Sequence, residues 1–207
     1  MAGDRGDASD EMLMVRYQRG DRDAFGELVR RYETPIYNFV LRQLRHRALT
    51  EDVTQDVFLR LVQNAADFKH EARFSTWLYT IARNQCIDQV RKLSHRRHPS
   101  LDAPPPGREG AGGAPLVESV ADPHPRASVE RSAAASEVRD RIVAAIEALP
   151  DDQREVFLLR EIANLPFKDI AEITGVGENT IKSRMRYALD RLKDALSEFD
   201  EYARALR

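Results

Sequence analysis

A stretch rich in proline and glycine divides this chain into two parts. Residues 99–125 hold seven prolines, four glycines and no aromatic residue. A segment of that composition cannot bury enough apolar surface to offset the entropy lost on ordering. The aromatic residues lie on either side, ten from Tyr17 to Tyr79 and five from Phe157 to Tyr202. The sequence therefore predicts two cores joined by a flexible linker, with no fixed interface between them.

Composition and charge exclude several classes of protein. The 207 residues include 32 Lys and Arg against 34 Asp and Glu, a net charge of −2, which excludes a uniformly basic surface but not local basic patches. The single cysteine, Cys86, excludes an intramolecular disulfide and a cysteine-only zinc cluster. The five histidines have no partners at metal-ligand spacing, so we expect neither metal nor cofactor. An acidic start and the absence of a long apolar run predict a cytoplasmic protein without a membrane span.

Both parts have the periodicity of helices. Apolar residues from Phe25 to Val40 recur at spacings of three, four and one, and no convincing run of alternating polar and apolar residues occurs anywhere. We therefore predict an all-α protein with a helical bundle over residues 10–93, a linker over 94–130 and a second helical domain over 131–199. In detail, we expect Asp21 to cap a helix that Pro35 kinks or breaks, and Thr50 to cap the next. Further helices are expected at Ser75–Leu93, at Val138–Leu149, after Pro150, and on either side of Gly175.

The helix after Thr50 has an apolar inner side, which we expect to include Val62, and an acidic outer face. A turn of 100° per residue places the apolar stripe of Val57 and Leu61 opposite that face. Leu59 is then the one apolar residue in a polar surface. It could be a stray exposed leucine, which is common, or a small anchor for a protein partner. The outer face consists of Asp52, Gln55, Asp56, Leu59 and Gln63.

The helix from Ser75 has two distinct faces. Its expected inner face runs from Leu78 through Cys86 and Val90 to Leu93. A second face combines an aromatic residue with polar and cationic ones, which suits a single strand whose bases stack while its phosphates meet Arg. The alternative is that Trp77 belongs to the core and the charges only solvate the surface. The candidate residues are Lys69, His70, Arg73 and Phe74 in the preceding loop, and Trp77, Thr80, Asn84, Asp88 and Arg91 on the helix.

A helix–turn–helix pattern ends the chain. Pro166 suits the first turn of one helix, Ala171 lets the two helices approach, and Gly175 permits a tight turn. On the second helix we expect Ile181, Met185, Ala188, Leu189 and Leu192 to face inward. The outward side chains could reach base edges and phosphates in a major groove, unless the motif is a plain helical hairpin. They are Asn179, Thr180, Ser183, Arg186 and Tyr187, with Lys182 and Arg184 on the flanks.

Together these segments resemble a bacterial sigma factor of the sigma-70 family, in its extracytoplasmic-function (ECF) group. The resemblance covers about Asp10–Leu93 and Val138–Leu196. It is carried by GDRDAFGELVRRYETPIYNFVLRQL, EDVTQDVFLRL, FSTWLYTIARNQCIDQVRK and ALPDDQREVFLLREIANLPFKDIAEITGVGENTIKSRM. Each piece alone would be weak evidence, whereas their order and spacing are specific.

The resemblance implies roles for the candidate residues. Asp52, Gln55 and Asp56 would contact core RNA polymerase, whose largest-subunit clamp helices and flap are the expected partners. Residues 69–74 would shape a pocket for a flipped −10 base, and the outer face of the Ser75 helix would follow the opened strand. The outer face of the last helix would read the −35 element in duplex DNA, and a probable anti-sigma factor would regulate the protein.

Two positions depart from the family pattern. Housekeeping members have adjacent tryptophans where this chain has Thr80 and Ile81, which implies weaker promoter melting and stricter demands on promoter sequence. Thr174 stands where an apolar residue is usual, which weakens the packing expected there.

A competing hypothesis is a stand-alone helix–turn–helix regulator with an N-terminal sensor or dimerisation domain. An enzyme has little support, because the chain lacks a phosphate-cradling glycine loop, a nucleophile elbow and a metal set.

Overall fold

A computed structural model describes the backbone of residues 8–97 and 129–197, and the side chains of residues 8–93 and 138–197. Both ranges are helical, apart from the short connections, and contain no strand, which confirms the predicted all-α class. Residues 98–128, the greater part of the predicted linker, lie outside the described residues. The helices are α1 (Asp10–Gln18), α2 (Arg22–Leu44), α3 (Arg47–Gln63), α4 (Phe74–Arg97), α5 (Val129–Glu147), α6 (Asp151–Glu161), α7 (Phe167–Thr174) and α8 (Glu178–Ala195).

Helices α1–α4 form the N-terminal lobe. Helix α2 packs against α1, α3 and α4, and a 3-10 turn over Ala65–Asp67 closes the bundle beneath α3. Phe39 and Tyr79 meet edge to face at the centre, with ring centroids 5.3 Å apart. Cys86 is buried as predicted for a small core residue, and burial raises the pKa of its thiol to about 12, with the Glu155 carboxylate adding to the shift. The thiol is therefore protonated at neutral pH.

Two local predictions in this lobe need correction. Helix α2 does not break near Thr34 but runs through Pro35, because Ile36, Phe39 and Val40 just beyond it are fully buried and their packing outweighs the lost backbone hydrogen bond; a kink at this proline stays a prediction. The next helix begins at Arg47 rather than after Thr50, and His46 is its N-cap. The predicted cap by Asp21 is confirmed, since its carboxylate accepts from the amides of residues 23 and 24.

Helices α5–α8 form the C-terminal lobe, in which α6 and α7 pack on α8. Gly175 ends α7 with a φ of +70°, a left-handed conformation that favours glycine, so the predicted turn is confirmed. The polar residue in α7 is accommodated within the helix, because the Thr174 hydroxyl donates to the Ile170 carbonyl at 2.7 Å. The predicted start of α6 at Pro150 and Asp151 is also confirmed.

Three apolar residues assigned to inner faces are exposed instead. Val62, Val90 and Leu189 expose 40%, 54% and 48% of their surfaces. Each lies at the edge of a buried stripe that is narrower than the sequence pattern implied. On α8, for example, the buried residues are Ile181, Met185, Ala188 and Leu192.

The two lobes touch, contrary to the expectation of no fixed interface. Helices α2 and α4 contact α6 and α7. Most of the hydrogen bonds and ion pairs described between them join charged or hydroxyl side chains, such as Arg83 with Glu155 and Thr76 with Asp169. The prediction considered only whether residues 99–125 supply an apolar anchor, and it did not consider polar pairs between the helices of the two lobes.

Candidate functional site

The acidic outer face of α3 borders an apolar groove. Asp52, Gln55, Asp56 and Gln63 are exposed as predicted, and Leu59 exposes 57% of its surface between them. Leu59 lines a groove of about 400 Å³ between α2 and α3 together with Val62. The α2 wall of this groove was missed from the sequence, although the regular apolar spacing of α2 contained it; that wall includes Phe25 and Val29.

Trp77 is neither fully in the core nor fully exposed. Its ring is half-buried and lies against Phe68 and Phe74, with centroid distances of 5.3 Å and 6.2 Å. One side of the indole therefore supports the lobe while the remainder can meet a ligand. The Thr80 hydroxyl donates to the Thr76 carbonyl at 2.8 Å, within the helix. Along the same helix Asn84 and Arg91 are exposed and Asp88 is half-buried.

The loop before α4 carries exposed cationic side chains next to a buried aromatic residue. Lys69, His70 and Arg73 are exposed, as a nucleic-acid contact requires. Phe74 is different, because it is fully buried and packs edge to face on Tyr32 at 5.3 Å. Phe74 can support this loop from the core, but it cannot itself touch a base.

A carboxylate from α1 holds the start of α4. Glu11 Oε1 accepts the Phe74 amide at 3.0 Å. Burial raises the pKa of Glu11, but hydrogen bonds from the backbone of Phe74, from its own amide and from Ser9, with the charge of Arg73, lower it by more, so the net pKa is below its ordinary value. The fold therefore favours the ionised carboxylate at this helix start. Nothing in the sequence pattern marks this contact, which joins residues 63 apart.

The outer face of α8 is exposed and polar. Asn179, Thr180, Lys182, Ser183, Arg186 and Tyr187 are all exposed, opposite the buried stripe of the helix. The Arg186 guanidinium lies 5.1 Å from the centre of the Tyr187 ring, which holds both near the middle of the face. Arg184 is set apart from them, since it is half-buried and its Nε lies 3.2 Å from a carboxylate oxygen of Asp152.

The structure thus provides three separate surfaces: the groove and acidic face of α3, the loop and outer face of α4, and the outer face of α8. It also brings the C-terminal lobe against one edge of α4, where Arg73 Nε lies 3.9 Å from an Asp169 oxygen. Among the described residues, no three His, Cys, Asp or Glu side chains are grouped to hold a metal ion. Within the same ranges, every helix is too short or too polar to cross a membrane.

Comparisons with known proteins match both lobes. The family model for sigma-70 region 2 matches residues 28–96, and that for sigma-70 region 4 matches residues 139–192. The chain is 33% identical over 181 residues to the ECF RNA polymerase sigma factor SigW of Bacillus subtilis, covering 87% of this chain and 93% of the relative. It is 30% identical to the ECF RNA polymerase sigma-E factor of Escherichia coli K12, covering 88% of this chain and 93% of that protein.

Solved structures share the fold. The chain resembles CnrH, solved in complex with the cytosolic domain of CnrY, with a TM-score of 0.63 at 20% identity, covering 92% and 99% of the two chains. It also resembles the sigma factor RpoE of Bartonella quintana, solved with the anti-sigma factor NepR, with a TM-score of 0.60 at 21% identity, covering 84% and 96%. Sequence motifs, helix arrangement and relatives agree, and the chain belongs to the ECF group of the sigma-70 family, the sigma factors that direct RNA polymerase to promoters.

Proposed function

We propose that the groove between α2 and α3, with the acidic face beside it, is the docking site for core RNA polymerase. The observation that supports this most directly is Leu59, an exposed leucine at the edge of an apolar groove and ringed by acidic and amide side chains. An anchor of that kind, surrounded by polar groups, is typical of the centre of a protein interface. The proposed contact residues are Asp52, Gln55, Asp56, Leu59 and Gln63.

The loop and outer face of α4 would bind the opened −10 strand. Trp77 offers a partly exposed ring for stacking, and the cations of the loop and of Arg91 offer partners for phosphates. Phe74 would act only from the core. The proposed contacts are Lys69, His70, Arg73, Trp77, Thr80, Asn84, Asp88 and Arg91.

The outer face of α8 would read the −35 element in the major groove. Ser183 and Arg186 lie near the middle of this face, where a recognition helix contacts base edges and phosphates. Asn179, Thr180, Lys182 and Tyr187 flank them. Arg184 would contribute at the edge, if it exchanges Asp152 for a phosphate.

On this proposal the domains are residues 10–93 and 131–199, joined by a linker over 94–130 whose first four residues continue α4 and whose last two begin α5. The protein would act in the cytoplasm as a dissociable subunit that catalyses no reaction of its own. An anti-sigma factor is a further proposed partner, supported by the NepR complex of the Bartonella quintana protein. A stand-alone regulator is not favoured, because the family models match both lobes.

Transcription in vitro tests the proposal. Purified core polymerase and the full-length chain are incubated with a library of genomic fragments, and promoter-specific transcripts are counted. Leu59→Glu should weaken core binding by about 2 kcal/mol or more, roughly 30-fold, because it places a charge where an apolar anchor docks. Met12→Glu is the matched control, since Met12 is 54% exposed on α1 and lies outside the groove. Equal core binding by the two variants would remove the groove from the proposal, and a lack of specific transcripts would refute it as a whole.

A further inference from the structure

The loop before α4, residues 69–73, begins and ends at two buried aromatic residues that touch each other. Phe68 exposes 5% of its surface and Phe74 exposes 0%. Their rings meet edge to face, with centroids 5.9 Å apart. The residues between them include Lys69, His70 and Arg73, whose side chains are exposed. The shape of this loop therefore depends on how the backbone is held at its two ends.

Helix α1 holds both of these ends. Gln18 Nε2 donates to the Ala65 carbonyl at 2.8 Å and to the Phe68 carbonyl at 3.0 Å. Glu11 Oε1 accepts the Phe74 amide at 3.0 Å. These hydrogen bonds join residues that are 47, 50 and 63 positions apart in the chain. One helix thus fixes the backbone where the loop begins and the backbone where it ends.

The geometry of α1 explains how it reaches two places at once. Glu11 and Gln18 lie two turns apart, so they project within about 20° of each other and are separated by about 10 Å along the helix axis. Helix α1 is itself held on α2, because the Tyr32 hydroxyl donates to Asp10 Oδ2 at 2.6 Å and Arg31 Nη1 donates to Asp10 Oδ1 at 2.7 Å. Both side chains that reach the loop therefore start from a fixed helix.

A loop that selects a base must keep its shape. Discrimination requires that the contacting groups stay within about 0.5 Å of the productive geometry. Inside the loop, the Ala72 amide donates to the Lys69 carbonyl at 3.0 Å. This hydrogen bond forms a local turn but does not tie the loop to the rest of the lobe, whereas the bonds from α1 do. Loss of either α1 contact would keep the cations of the loop and let the backbone that carries them shift.

We propose that Glu11 and Gln18 are positioning residues that hold the loop before α4 in the shape that selects the −10 base. The inference rests on the proposed −10 role of this loop. The two side chains act through the backbone of Phe68 and Phe74 and do not themselves touch the strand. Without them, the holoenzyme becomes less selective in the −10 segment, while selection of the −35 element by α8 is unchanged.

Matched substitutions in the full-length chain separate the hydrogen bonds from the charges. Gln18→Glu keeps the size of the side chain but replaces the donor by carboxylate oxygens that face two carbonyls. Met12→Glu is its control, because it adds the same charge to α1 at a side chain that is 54% exposed and projects about 120° away from Gln18. Glu11→Ala removes the acceptor of the Phe74 amide, whereas Glu11→Gln removes the charge and keeps an acceptor.

Promoter selection by the holoenzyme measures the effect. Each holoenzyme transcribes two promoter libraries, one randomised in the −10 segment and one in the −35 element, and the transcribed sequences are counted. Gln18→Glu and Glu11→Ala should lower the ratio of preferred to other bases in the −10 segment by roughly 5-fold or more, the lower end of what one base contact contributes. Met12→Glu and Glu11→Gln should keep that ratio, and all four variants should keep the −35 ratio. A loss of stability alone would reduce transcription from every promoter alike and change neither ratio.

Hydrogen exchange of the free chains distinguishes the ways in which the proposal could fail. Peptides that cover residues 69–74 should exchange faster in Gln18→Glu and Glu11→Ala. Unchanged exchange in both variants would overturn the hold of α1 on the loop, and faster exchange with an unchanged −10 ratio would overturn its role in selection. Equal loss of the ratio in the two control variants would assign the effect to charge and overturn the role of the contacts. If the unmodified holoenzyme selected the −35 element but no −10 base, the proposed role of the loop would fail, whereas the exchange result would still decide whether α1 fixes it.

Discussion

At the scale of single residues, the most informative side chains are those that are buried on one side and exposed on the other. Trp77 lies against Phe68 and Phe74 on one side and is accessible on the other, so the ring packs partly in the core while its binding of a ligand stays a prediction. Helical periodicity predicted the face of α4 on which Trp77 lies. It could not predict how far the ring is buried, because Phe68 belongs to a different segment of the chain.

Trp77→Ala tests the exposed part of the ring. On holoenzyme, we expect it to weaken binding to a promoter with an unpaired −10 segment by roughly 1–3 kcal/mol, the range for one base stacked on an aromatic side chain. Binding to fully duplex promoter should change little. Trp77→Phe is the control, because it keeps an aromatic ring beside Phe68 and should lose less. Equal losses on both DNA forms would assign Trp77 to the core alone.

Glu11 gives a prediction on pH. Its folded-state pKa lies below the ordinary value of 4.5, so the ionised form contributes stability above that value and loses it as pH falls through the lowered pKa. Glu11→Gln can still accept the Phe74 amide but does not titrate there. We expect urea unfolding of the full chain to show the variant as slightly less stable near neutral pH, with the difference disappearing in acid. Glu51→Gln, at an exposed position on α3, is the matched control. A trend of equal size in both variants would contradict the role of Glu11.

At the scale of elements, the sequence indicated the helix–turn–helix well and the helix boundaries in the N-terminal lobe less well. The turn at Gly175 has a local cause, a conformation that glycine tolerates, and local causes are visible in sequence. The passage of α2 through Pro35 depends on burial of residues beyond it, which is a tertiary effect. The same distinction explains α3, because a cap by His46 is less common than the expected cap by Thr50.

Substitutions at Gly175 test whether its conformation positions α8. An added Cβ would meet nothing within 4 Å, so any cost comes from the left-handed backbone rather than from a clash. Gly175→Ala should destabilise this lobe by about 1 kcal/mol. Gly175→Asn should cost less, since Asn adopts this conformation more readily. Hydrogen exchange of the α8 amides in the full chain measures both, and a greater loss for Asn than for Ala would contradict the conformational explanation.

At the scale of the whole molecule, the division into two lobes was predictable and their contact was not. Proline and glycine content is a compositional signal, whereas the pairs of Arg83 with Glu155 and Thr76 with Asp169 join residues 72 and 93 apart and leave no local pattern. The groove beside Leu59 shows the same limit, because one wall lies on α2 and the other on α3. Periodicity predicts which face a residue is on, and the fold decides what lies opposite.

Cutting the chain between the lobes tests how far each depends on the other. Limited proteolysis should cut first within residues 99–125, whose proline and glycine content predicts a flexible linker, and should leave two folded halves. At micromolar concentration the halves should separate on size exclusion, because a polar contact is weak without a tether, which supplies an effective concentration of up to about millimolar. Initiation should fall sharply for the same reason, since both halves must engage one polymerase. Intact chains with one substitution in the outer face of α4 or of α8 provide the comparison, because they show how much initiation is lost when a single DNA contact is weakened. First cuts elsewhere, unfolded halves, or full initiation by the separated halves would each contradict this account of a tethered, reversible pair.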